Sequence, residues 1–169
     1  MKRLAMALTV SMLATGVAGC GSSTPTNPST FKVFTVQLFP ANENPPVTNS
    51  EQSGRGTAVV TIHSDTNTID FSISMNSFPA NTNVILAHIH PGPVGVNGGA
   101  LIGVPGLAAT TPLVLANGSG SWVATGVSAQ TASNPAATNV ANILAAPQNF
   151  YFNVHTTGNP GGVMRGQLQ

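Results

Sequence analysis

The chain is poor in charge, in cysteine and in aromatic rings. Charged side chains make up 5% of its 169 residues, against roughly 25% in an average soluble domain. Five Lys and Arg are too few to build the phosphate-neutralising surface that nucleic-acid binding requires. Four Asp and Glu cannot form a carboxylate-rich calcium cage or a set of acid/base dyads. With a single Cys, Cys20, an intrachain disulfide is excluded, so a folded domain must rest on its apolar core. No Ser stands in a Gly-X-Ser-X-Gly elbow, and no Gly-rich loop matches a nucleotide motif. Nucleophilic and nucleotide chemistry therefore lack a sequence basis.

What is present points to an all-β protein outside the cytoplasm. Hydrophobic residues reach 41%, with 18 Gly and 13 Pro, so low charge here does not carry the disorder that accompanies low hydrophobicity. Met1-Lys2-Arg3 and the apolar run Leu4 to Leu13 have the form of a secretory signal, too short to span a membrane. Val17-Ala18-Gly19-Cys20 resembles the bacterial lipobox, whose Cys is diacylated and becomes the mature N-terminus. Residues 1–19 then read as a lipoprotein signal peptide, with Cys20 as the lipidation site. Residues 20–30 read as the lipidated Cys and a flexible Pro/Ser/Thr/Asn tether. Two or three acyl chains anchor stably where one does not. The expected location is the bacterial cell envelope, and Gly21 after the Cys resembles outer-membrane sorting.

Removing the signal changes the charge. Lys32, Arg55 and Arg165 then face Glu43, Glu51, Asp65 and Asp70, three cations against four anions, for a formal side-chain charge of −1. Residues 31–169 are long enough for one domain.

Alternation defines the strands of that domain. Phe34, Val36 and Leu38 share one face of a segment over 31–39. Ala58, Val60 and Ile62, then Ile69, Phe71, Ile73 and Met75, form an antiparallel hairpin across Asp65-Thr66-Asn67. In the segment 84–90, Ile85, Ala87 and Ile89 take one face and leave His88 and His90 on the other. A short strand is expected at 100–104 inside a Gly-rich loop, and Asn117-Gly118 gives a hairpin signal between 112–115 and 121–127. Asn134 as N-cap and Pro135 as first residue announce a short helix burying Val140, Ile143 and Leu144, stopped by Pro147. A last hairpin joins 150–156 to 163–168, with Phe152 and Val154 opposite Tyr151, Asn153 and His155. Seven or more short strands imply a Greek-key or immunoglobulin-like β-sandwich.

The histidines carry the one chemical signal. His88 and His90 are spaced i, i+2, with backbones about 7 Å apart and both rings on one side. A third ligand from a neighbouring strand would complete an open copper or zinc site, and His155 is the candidate. The same rings can equally be structural, hydrogen-bonded to backbone. Glu43 could fold back as an orienting carboxylate, and Arg165 could form a buried ion pair with a Glu or bind a ligand. His63, beside a turn, reads as an exposed bystander.

Three motifs in order resemble the CHRD domain, first described in chordin. They are Asn42-Glu43-Asn44-Pro45-Pro46, Ala87-His88-Ile89-His90-Pro91-Gly92 with Gly95-Val96-Asn97-Gly98, and Phe152-Asn153-Val154-His155-Thr156 with Asn159-Pro160-Gly161-Gly162 and Arg165-Gly166-Gln167-Leu168. One departure is Val163, where the family usually has Glu. The resemblance implies a β-sandwich acting as a non-enzymatic binding or structural module, partnered by an envelope or extracellular protein, with Glu43, His88, His90, His155 and Arg165 in one polar cluster. A looser similarity to copper/zinc superoxide dismutase supports the alternative of a metal-binding, weakly redox-active protein. Its bridging His, zinc Asp and disulfide are not recognisable, and no metal is required by the leading reading.

Overall fold

The structure, a computed structural model, describes residues 30–169. The signal, Cys20 and all of the tether but Thr30 lie outside the described residues. One sheet holds β1 (Phe31–Leu38), β2 (Arg55–His63), β3 (Thr68–Asn76) and β7 (Gly120–Ser128), in that order. The other runs β5 (Ile102–Gly103), β4 (Thr82–Pro91), β8 (Phe150–Thr156) and β9 (Met164–Gln167), with β6 (Leu113–Leu115) also paired to β4. All pairings are antiparallel. After the β1–β2–β3 meander the chain crosses sheets for β4 to β6, then returns to lay β7 against β3, as in a Greek-key sandwich. Helix α1 (Ala136–Ala145) follows.

The period-two pattern explains why the two sheets stack. Phe34, Val36 and Leu38 from β1, and Ile69, Phe71 and Ile73 from β3, are all buried in the core. Ala87, Ile89, Phe152 and Val154 come from the other sheet into the same cluster. Phe71 meets Phe152 across the layers with ring centres 5.7 Å apart. Each such side chain contributes about 1.5–3 kcal/mol by leaving water, and without disulfides this is the main cohesion. At one corner the sheets are stitched together, because Phe39 and Arg165 exchange backbone hydrogen bonds of 3.2 and 3.3 Å.

Four local expectations are corrected. The β4–β8 register slips between Val84 and Leu86. This bulge puts Val84, rather than Ile85, in the core cluster while restoring Ala87 and Ile89 inward. Asn117-Gly118 closes no hairpin, since β6 pairs with β4 and β7 with β3. The turn instead carries the chain between sheets, held by Phe78 N–H donating to the Gly118 carbonyl at 3.1 Å. Gly is required there because φ is +70° and a Cβ would strike the Phe78 carbonyl. The helix begins one residue later than expected: Pro135 is the N-cap, and no side chain caps it. Finally, the strand expected over 100–104 is only Ile102–Gly103.

Candidate functional site

The outer face of the second sheet collects the polar residues. Alternation sends Ala87, Ile89, Phe152 and Val154 into the core, so their neighbours in sequence must point away from it. Antiparallel register then lines them up in rows across three strands. His88 sits opposite Asn153, which sits opposite Arg165; His90 sits opposite Tyr151, and Tyr151 opposite Gln167. His155 pairs with Leu86, one row beyond His88. Loops cover this face, so His90, His155, Asn153 and Arg165 are only 6%, 5%, 2% and 2% exposed.

The three imidazoles converge. One nitrogen from each of His88, His90 and His155 lies within 4.8 Å of the others. His90 Nδ1 is 3.0 Å from the Gly98 carbonyl, and His155 Nδ1 is 3.1 Å from the Pro160 carbonyl. A carbonyl only accepts, so both Nδ1 atoms carry the proton and both Nε2 atoms present lone pairs. His88 Nδ1, 3.1 Å from His155 Nε2, must then donate to it. His90 Nε2 is buried without any hydrogen-bond partner.

Electrostatics keep this cluster uncharged. Burial pushes His88 and His155 down to about 4, with the neighbouring imidazoles adding to the effect. His90 is also lowered, chiefly by burial. Neutral imidazole is the form that ligates a metal. The two backbone carbonyls on the far nitrogens fix tautomer and ring orientation, as outer partners of ligating histidines do.

Beside the histidines runs a stack. His90 lies flat on Tyr151, ring centres 4.9 Å apart and planes 9° from parallel, and the Arg165 guanidinium sits 4.6 Å from the Tyr151 ring centre. Arg165 donates from Nε to the Asn42 carbonyl at 2.7 Å and from Nη1 to Asn97 Oδ1 at 2.8 Å. Glu43 reaches the same face, and burial pushes its carboxyl up to about 7 against the opposing pull of Arg165. Glu43 Oε1, Asn153 Oδ1 and Arg165 Nη2 join His90 Nε2 as buried polar atoms without partners. All four lie in this one cluster.

The sequence profile of the CHRD domain matches residues 34–168. The chain belongs to the CHRD domain family. No curated protein and no solved structure matches it. The match spans all of the sandwich but the first three residues of β1, including 104–146, where β6 and α1 bring Leu115, Val140 and Ile143 to the common core. A CHRD domain is a binding or structural module, and its three motifs meet here: Glu43 from the first, the His pair from the second, His155 and Arg165 from the third.

Several expected roles change on contact with the geometry. Glu43 hydrogen-bonds to no histidine; the carbonyls of Gly98 and Pro160 do the orienting. Arg165 makes no ion pair, and His63 Nε2 hydrogen-bonds Asp70 Oδ2 at 2.9 Å. His63 is therefore no bystander but a partner of Asp70 on the opposite sheet. Val163 is fully buried in the core cluster, where it acts as a packing residue. Sequence reasoning assigned no role to Asn97, Gly98, Tyr151, Asn153 or Glu51. Glu51 accepts from Thr156 Oγ1 at 2.6 Å and Asn159 Nδ2 at 2.5 Å, tying down the loop that carries Pro160. The usable signal was present for all but Glu51, since the other four lie inside the family motifs or in the His155 strand.

Proposed function

We propose that this chain is a lipid-anchored envelope protein whose CHRD domain binds one copper or zinc ion through His88, His90 and His155, without catalysing a reaction. The observation that carries this reading is the convergence of three neutral imidazoles within 4.8 Å, two of them oriented by backbone carbonyls. The donor set fits: His90 Nε2 is already an unpaired lone pair, and moving the His88 proton from Nδ1 to Nε2 would free the two nitrogens that now share it. Nitrogen-rich sites with a free position suit copper and zinc rather than calcium or magnesium. Anchoring through Cys20 would hold the site at a membrane surface, and an envelope or extracellular protein remains the expected partner.

A second reading rests on the 3.1 Å hydrogen bond between His88 and His155. In it the cluster is a structural lock, closing the loops at Gly98 and Pro160 over the sheet. Metal analysis of the native protein against a His88→Ala/His90→Ala variant separates the two. The metal reading expects about one copper or zinc per chain in the native protein and almost none in the variant. Equal metal content in both would remove it and leave the lock.

A further inference from the structure

A second site lies between the free edges of β1 and β9. The sheets meet at Phe39 and Arg165, Gly166 packs closely on the Gln37 backbone, and a cavity of about 630 Å³ that no histidine lines lies against this seam. This volume falls within the roughly 300–1,000 Å³ of small-ligand pockets. Its wall is rich in side-chain amides: Gln37, Asn42, Asn44, Gln167 and Gln169.

Each of four amides is tied to the protein by one end only. The nitrogens of Asn42, Asn44 and Gln167 donate to backbone carbonyls, at 3.0 Å to Arg165, 2.7 Å to Gly95 and 2.8 Å to Gln148 respectively. Gln37 uses its oxygen, which accepts from Thr57 Oγ1 at 3.3 Å. Three amide oxygens and the Gln37 nitrogen are left without a protein partner among the described residues. The two charged residues that line the cavity, Glu43 and Arg165, are 7% and 2% exposed, and the exposed Arg55, outside the lining, lies over the Phe39 ring at 5.7 Å from its centre. Apolar surface is supplied by Phe39, 38% exposed, and by Val94, 81% exposed, with Pro46 between the polar groups.

We infer that this cavity binds a neutral saccharide. Sugar hydroxyls both donate and accept, which matches amide ends offering acceptors and a donor in one wall. The C–H face of a sugar ring can lie on the Phe39 ring while its hydroxyls reach the amides. An ionic ligand would find no exposed counter-charge among the lining residues, and an aliphatic chain would leave the amides unpaired at a cost. Tying one end of each amide fixes its rotamer in advance, so little side-chain entropy is lost on binding. The inference does not depend on the histidines.

Saturation-transfer NMR on the full chain in a zwitterionic detergent tests it. The probes are malto-, cello-, chito- and mannohexaose, with hexagalacturonate and an uncharged hexapeptide as comparisons. At least one neutral hexaose should bind, with contacts to the Phe39 ring or Val94 methyls in the wild-type protein. Phe39→Ala and Gln37→Ala should each weaken it about tenfold, the size of one lost ring or amide contact, with thermal melting reporting that each variant stays folded. His88→Ala should leave the affinity unchanged. Failure of all four saccharides, equal binding of the galacturonate or the peptide, or contacts mapping away from Phe39 and Val94 would each overturn the inference.

Discussion

Arg165→Ala is expected to cost about 3–5 kcal/mol of folding stability, because it empties a large buried volume and strands buried acceptors together. The guanidinium is 2% exposed, donates to Asn42 and Asn97 and lies against Tyr151. Its loss unstacks one side of the column that supports His90. The loss also depends on pH. Glu43 is held up at about 7 from 4.5, so the folded state binds its proton more tightly than the unfolded state does. Stability attached to Glu43 is therefore present at low pH and declines as pH rises from about 4.5 to about 7. Arg165 opposes that decline by favouring the carboxylate. Without Arg165 the Glu43 carboxyl shifts further up, and the variant's deficit should be larger at pH 8 than at pH 5. Chemical denaturation at the two pH values measures this. A total loss below about 1 kcal/mol, within the range of ordinary surface changes, or equal deficits at both pH values, would contradict the account.

Cys20→Ala should move the protein almost wholly from the membrane fraction to the soluble fraction and abolish incorporation of labelled fatty acid. The effect is close to all-or-none because each buried methylene adds about 0.8 kcal/mol and a diacylated Cys inserts two chains. Among the described residues no helix is long and apolar enough to cross a membrane. Unchanged membrane fractionation of the variant would count against the lipoprotein reading.

Much of the fold was legible because strand faces follow a period of two. Phe34, Val36 and Leu38, the β2–β3 hairpin, and the opposition of His155 to Val154 all follow from that rule alone. What escaped were features set by long-range pairing. The bulge that exchanges Ile85 for Val84 appears only when β4 is laid against β8. Asn117-Gly118 has hairpin composition, yet its flanking strands find better partners in different sheets. In the site, the strand residues were foreseeable and the loop carbonyls were not. Gly98 and Pro160 act through backbone oxygens, which leave no trace in residue type. For Arg165 the sequence left two roles open, a buried ion pair with a Glu or ligand binding, and for Glu43 the role of an orienting carboxylate. In the fold Arg165 instead spends its donors on backbone and amide oxygens, and Glu43 stays protonated by burial as pH approaches 7.

The central claim is that three imidazoles of one sheet face share one metal ion. X-ray absorption at the zinc edge of the zinc-loaded full chain tests it most directly. The account predicts a nearest shell containing three imidazole nitrogens at about 2.0–2.1 Å, lost in the His88→Ala/His90→Ala variant. A shell of oxygen atoms without imidazole scattering, or a spectrum the variant leaves unchanged, would contradict it.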